Sequence, residues 1–199
     1  MRALDTTLRS CAAAVVLLVL AGCEATTFQN PPLAEQACDP QLNGDWLSVA
    51  DSKDNDTPGE VELQIDKTCN LALVEHKKDG DVRGDITTLH VGRDSAQGYF
   101  WLDATWAFKR AQSTEPAPAN DVYVLRYTIH GNDLQLYTID DRAIAHRILN
   151  EELKGEVHKT ESTLVNRLTG TVTPQQLRSG ITFEDKPARF MRRDAVPVK

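Results

Sequence analysis

Along the middle of the chain apolar and polar residues alternate with a period of two, which is the pattern of strands with one buried face. Val61, Leu63 and Ile65 alternate with Glu62, Gln64 and Asp66. Asp66-Lys67-Thr68 then reads as a turn into an apolar run from Leu71 to His76. A second turn, Lys77 to Asp81, leads into Val82 to Val91. From Gly98 the alternation predicts one long strand, with Phe100, Leu102, Ala104, Trp106 and Phe108 on one face and Tyr99, Trp101, Asp103 and Thr105 on the other. Tyr123, Leu125, Tyr127 and Ile129 form the next apolar face, and His130 to Asp133 turns the chain into Leu134 to Ile139. Links this short imply an antiparallel meander. Gln112 to Asn120, with Pro116 and Pro118, reads as a surface loop between strands rather than a domain boundary.

The period changes late in the chain. Ile144, Ala145, Ile148, Leu149 and Leu153 recur at helical spacing behind Asp140 or Asp141 as a cap, with Lys154 and Gly155 as end signals. A second, short helix is announced by Thr173, Pro174 and Gln176, a capping box with proline at the first position, and stops at Gly180. Thr163 to Thr171 reads as extended, and Ala188 to Arg192 as a final strand. The expected fold is therefore mainly β: an antiparallel meander of seven to nine strands forming a barrel-like or sandwich domain, with two short helices in the C-terminal third.

The first residues follow different rules. Arg2 and Arg9 precede an unbroken apolar and small-residue run from Cys11 to Ala21. A charged start, an apolar core of about 7–15 residues and a small-residue cleavage site make a secretory signal. A membrane-spanning helix needs about 20 apolar residues, more than this run supplies. The segment closes on Leu20-Ala21-Gly22-Cys23 and resembles a bacterial lipobox, with cleavage between Gly22 and Cys23. The resemblance implies a diacylglyceryl group on the Cys23 thiol and acylation of the new amine. Two or more acyl chains anchor stably where one does not. Glu24, in place of the aspartate that retains such proteins in the inner membrane, implies a periplasm-facing location at the outer membrane. The expected organisation is a signal over residues 1–22, a lipidated cysteine and flexible tether over 23–37, and one β-rich domain over 38–199.

Removing residues 1–22 takes away Arg2, Arg9 and Asp5, so the formal charge moves from −7 to −8. An acidic chain without a basic patch argues against nucleic acid as a partner and against adsorption to anionic lipid beyond the anchor. With Cys11 lost and Cys23 acylated, Cys38 and Cys69 remain. An even pair in an oxidising compartment predicts a disulfide. No Cys-x-x-Cys or neighbouring histidine favours a metal pair instead.

Candidate chemistry is sparse. The five histidines, His76, His90, His130, His146 and His158, make no His-x-x-x-His or zinc pattern. Asp51, Asp54, Asn55 and Asp56 lack the glycine and distant glutamate of a calcium loop. No nucleophile elbow or phosphate-cradling glycine loop is present. Asp140 and Asp141 could pair for acid–base work, but helix capping accounts for them. The reading is of no catalytic residue, no metal and no cofactor. Trp101, on the face opposite the apolar one, is the candidate partner contact. Gly44-Asp45-Trp46 resembles the Gly-x-Trp of the first lipocalin strand, where the tryptophan plugs one barrel end; this implies a lipocalin-like shape over about Asp39 to Ile139. The expected role is non-catalytic binding or interaction at the membrane. The alternatives are an immunity-type inhibitor of a cell-wall-degrading enzyme, whose basic surface an acidic protein would complement, and a carrier of a small hydrophobic ligand inside the barrel.

Overall fold

The structure, a computed structural model, describes residues 24–49, 58–95, 97–110, 116–161 and 163–195. The signal segment with Gly22 and Cys23, the acidic loop around Asp54, and residues 112–115 of the proline-containing loop lie outside the described residues.

The described residues form thirteen strands and three short helices. β2 (Gly44–Val49), β3 (Pro58–Ile65) and β4 (Asn70–Glu75) are antiparallel neighbours. β4 also pairs with the two-residue strands β5 (Val82–Arg83) and β6 (Thr87–Thr88). Only Leu89 separates β6 from β7 (His90–Asp94), which pairs with β8 (Gln97–Asp103). β8 pairs with β9 (Val122–His130), β9 with β10 (Asp133–Tyr137), β10 with β13 (Ala188–Arg192), and β13 returns to β2. The strands curl around one interior, but the ladder is interrupted between β6 and β7, so the sheet is barrel-like without being closed.

Alternation fills that interior. Leu63 and Ile65, Leu71 and Leu73, Phe100 and Leu102, and Leu125, Leu134 and Phe190 meet in one buried cluster. The long strand expected from Gly98 ends at Asp103. The chain turns instead into α1 (Ala104–Arg110). Asp103 Oδ1 accepts the backbone N–H of Trp106 at 2.9 Å, as an N-capping side chain does. Ala104, Ala107 and Phe108, at helical spacing, pack into the barrel cluster. Alternation at 104, 106 and 108 is shared by a short helix with apolar residues at i, i+3 and i+4, and here burial into the barrel selects the helix.

Trp46 is wholly buried in the same cluster, and its Nε1–H donates to Leu42 O at 2.8 Å. Arg192 of the last strand lies over the indole at 4.4 Å and donates to the carbonyls of Asn43 (2.9 Å) and Gln41 (2.8 Å). Gly44 adopts φ +142, and a Cβ there would stand 2.6 Å from Arg192 NH1, so only glycine admits this clasp.

A second layer covers the other face of β8 and β9. β1 (Glu24–Phe28) pairs in parallel with β12 (Leu164–Leu168) and antiparallel with the first residues of β9. The sheet is thus mixed, where the short links predicted antiparallel pairing throughout. β11 (Gly155–Lys159) forms a hairpin with β12. α2 (Asp141–Leu149) and α3 (Pro174–Ser179) pack over this face. Phe28, Tyr99, Trp101, Val124, Ile144 and Leu168 belong to a second buried cluster. The cap of α2 is Asp140, whose Oδ1 accepts the Ala143 N–H at 2.9 Å. α3 has the predicted capping box of Thr173 and Gln176, proline at the helix start, and Gly180 at its end. α2 ends at Leu149 rather than running on to Leu153, and Gly155 begins β11. A Cβ on Gly155 would lie 2.6 Å from Arg167 O, so close strand packing, not helix termination, requires this glycine.

β1 corrects the expected tether. Residues 24–28 are a strand held on both edges, and Thr26, Thr27 and Phe28 are fully buried. The polar pair Thr26-Thr27 reads as linker in isolation. Its hydroxyls instead serve two carboxylates, half-buried Asp141 and buried Asp121, that come from far along the chain.

Candidate functional site

Cys38 and Cys69 are bridged, with Cα atoms 5.5 Å apart. The bridge ties the segment entering β2 to the β3–β4 turn. Asp66 organises that turn. Its carboxylate accepts the backbone N–H groups of Thr68 (2.8 Å) and Asn70 (2.9 Å) and the side-chain amide of Asn70 (3.0 Å). These bonds, led by those from Asn70, hold its pKa down at about 2.

Nearby, buried Asp39 accepts the Tyr127 hydroxyl at 2.7 Å, the Gln41 N–H at 3.0 Å and the Arg93 guanidinium. Burial pushes the Asp39 pKa up, but these bonds outweigh it and hold the carboxyl below its ordinary value. Burial, then Asp39, pushes Tyr127 up. A Cβ on Gly98 would run into the Tyr127 ring. This cluster locks the segment before β2 onto β7 and β9, and its groups are engaged with one another.

The barrel has little room. Leu63, Leu71, Phe100, Leu125 and Leu136 line an apolar cavity of ≈ 30 Å³. Ligand sites usually occupy about 300–1,000 Å³.

The roomier space is outside the barrel. A groove of ≈ 470 Å³ runs between α2 and the β11–β12 hairpin. Arg142, Ala145, His146 and Leu149 line one side, and Val157, Lys159, Thr163 and Leu164 the other, with Glu24 also on the lining. The four α2 residues fall on one helix face because they recur at three- and four-residue steps. Leu149 is 69% exposed. Glu24 and Arg142 form a forked ion pair, with Arg142 Nε 2.9 Å and NH2 2.7 Å from Glu24 Oε1. Solvent limits such an exposed pair to about 0–1 kcal/mol.

A polar cluster adjoins this groove. Thr26 donates to Asp141 Oδ1 at 2.6 Å, and Asn166 donates to Thr26 Oγ1 at 3.1 Å and to the Asp141 carbonyl at 2.7 Å. Asn166 Oδ1 is buried with no hydrogen-bond partner. Burial pushes the Asp141 carboxyl up to about 7; the Thr26 bond opposes the rise, and the nearby carboxylates of Glu24, Asp140 and Glu184 add to it. Its neighbour Asp140 does the capping. Thr27 and Arg167 satisfy buried Asp121 at 3.0 and 2.9 Å, which fastens β1 and β12 to the start of β9.

A third cluster joins β3 to the turn that follows β4. His76 Nε2 is 2.8 Å from Glu62 and its Nδ1 2.9 Å from Asp81, while Arg193 approaches Glu62 at 3.1 Å. Asp81, followed by Glu62, raises the His76 pKa against the opposing effect of burial. Burial raises Glu62, but Gln64, His76 and Arg193 outweigh it and bring the carboxyl below its ordinary value. This is an ion-pair network between β3, the turn after β4 and the residue that follows β13. Among the described residues, no group of three or more His, Cys, Asp and Glu is placed to hold a metal ion.

Trp101 does not present a partner contact. It faces away from the barrel as alternation predicts, but the outer layer covers it to 2% exposure, and His90 stacks against it at 6.1 Å. Of the histidines, His146 reaches the groove. Pattern reading missed Glu24, Arg142, Leu149 and Asn166. The helical spacing places Leu149 on the apolar stripe of α2, but it lies off the buried face, which Ile144, Ala145 and Ile148 make.

Among the described residues, no helix is long and apolar enough to cross a membrane. The chain matches no protein-family model, no curated protein and no solved structure.

Proposed function

We propose that this chain is a bacterial envelope lipoprotein, anchored through Cys23 with its domain in the periplasm at the outer membrane, and that it acts by binding at its outer surface without catalysis. The single observation that carries the binding reading is the contrast in open space. The barrel leaves ≈ 30 Å³, whereas the groove beside β1 leaves ≈ 470 Å³. Buried Trp46 at the start of the barrel supports the lipocalin-like shape. The filled interior weighs against a lipocalin-like carrier, because a small hydrophobic ligand would have to displace packed side chains.

The test is made on protein isolated from a bacterial envelope. Its intact mass is expected to begin at Cys23 and to include acyl groups, and Cys23→Ser is expected to abolish them. Photo-crosslinkers placed in turn at Lys159 in the groove and at Gln135 on β10 then locate the binding surface. Adducts are expected from Lys159 and to be lost with Leu149→Asp. Adducts from Gln135 alone, or a small molecule retained in the barrel, would overturn the reading.

A further inference from the structure

The lipid-bearing residue of the proposed function and the first residue of the fold are consecutive. Glu24 opens β1, which is pinned to β12 residue by residue from Glu24 opposite Leu164. Consecutive Cα atoms lie about 3.8 Å apart. No length of free chain separates an acylated Cys23 from the sheet, so the surface around Glu24 is brought against the bilayer that holds the acyl chains. That surface is the groove. Its walls carry apolar Ala145, Val157, Leu164 and exposed Leu149, and its charged lining is balanced, with Arg142 paired to Glu24 and with Lys159 and Glu161 also present. An apolar patch rimmed by charged side chains suits the boundary between phospholipid headgroups and acyl chains.

We infer that the groove between α2 and the β11–β12 hairpin is a membrane-contact surface, occupied by phospholipid of the anchoring leaflet. This deepens the proposed function and rests on acylation of Cys23. Leu149 sits at the acyl boundary, while Lys159 meets lipid phosphate and Arg142 stays paired with Glu24. The anchor brings the surface to the membrane; charge does not, because the acidic chain is repelled by an anionic surface. Seated in this way, the domain is held at a fixed attitude on the membrane, with the barrel directed away from it.

The test uses the mature lipidated chain in phosphatidylcholine vesicles, with and without bromine on the acyl chains near the headgroups. Intact mass first establishes acylation; its absence overturns the anchor and this inference together. Leu149→Trp and, as a comparison, Ile86→Trp each add a fluorophore at an exposed position, Ile86 being 61% exposed between β5 and β6 on the β4 side of the sheet. Emission of the unsubstituted chain is subtracted. Emission added by Leu149→Trp is expected to be blue-shifted and largely lost in brominated vesicles, while that added by Ile86→Trp is unaffected. With acylation established, three results overturn the inference: no quenching at either position, equal quenching at both, or a blue shift at 149 without quenching. The last would mean that something other than the bilayer, such as the protein's own acyl chain or a protein, fills the groove.

Discussion

The barrel and the outer layer share β8 and β9, yet they solve the burial problem differently. On the barrel side, Phe100, Leu102, Leu125 and Tyr127 face other large side chains, and α1 adds Ala107 and Phe108 to the same cluster. On the outer side, Tyr99, Trp101 and Val124 are covered by α2, α3 and residues of β1 and β12. That cover leaves a groove, a partly paired asparagine and a carboxyl whose pKa burial raises. The barrel resembles a packed core that sets stability, and the outer layer carries the features suited to binding and to a response to pH.

The largest expected effect separates the two regions directly. Trp46→Ala removes a fully buried indole and its bond to Leu42, and is expected to cost about 3–5 kcal/mol in urea unfolding. Leu149→Ala is expected to change stability by no more than about 0.5 kcal/mol. A large loss at Leu149 would mean that the groove is core. Next comes the bridge. Replacing Cys38 and Cys69 together by serine reopens a loop spanning 31 residues in sequence, for about 3–4 kcal/mol on the chain-entropy account. Thermal unfolding with and without reductant checks it, and reductant should leave the double variant unchanged.

Asp141 gives the outer layer its own pH dependence. Its folded pKa of about 7 lies above the unfolded value of 3.8, so the folded state holds the extra proton between the two. Its contribution is therefore most favourable at low pH and is lost as pH rises from about 4 towards 7. Asp141→Asn retains an acceptor for Thr26 and cannot ionise. It should be more stable than the parent by at least about 1 kcal/mol at pH 8, with the gain shrinking by pH 5. Equal urea midpoints for the two chains at both pH values would refute this. His76 gives a smaller effect in the same direction of pH. Its folded pKa is raised above 6.5, so its stabilisation is present below that value and disappears as pH climbs through the folded one. Relative to His76→Gln, the parent should lead by no more than about 1 kcal/mol near pH 6 and lose that lead by pH 9.

The legible parts of this fold were those encoded locally. Thr173, Pro174, Gln176 and Gly180 specify α3 because a cap depends on neighbours within one turn. Val61, Leu63 and Ile65 specify a strand because one face is buried. Trp101 was misread because it sits in Tyr99-Phe100-Trp101-Leu102, a run without polar interruption. Such a run marks a strand buried on both faces, and alternation alone cannot reveal the second cover. β1 was invisible for a related reason. Its ladder partner β12 lies 140 residues further along the chain, and Thr26 and Thr27 are polar because half-buried Asp141 and buried Asp121 need donors. The groove combines Glu24, one face of α2 and the β11–β12 hairpin, so only the tertiary fold assembles it.

The most direct test of the division between packed barrel and outward-facing groove is amide hydrogen exchange on the mature lipidated chain in vesicles. The comparison is the mature chain carrying Cys23→Ser, exported behind an ordinary cleavable signal. Slower exchange on the membrane is expected in α2 and the β11–β12 hairpin alone, with β3, β4 and β10 unchanged. Slowing centred on the barrel strands, or none in the hairpin of a chain whose mass shows the acyl groups, would contradict that division.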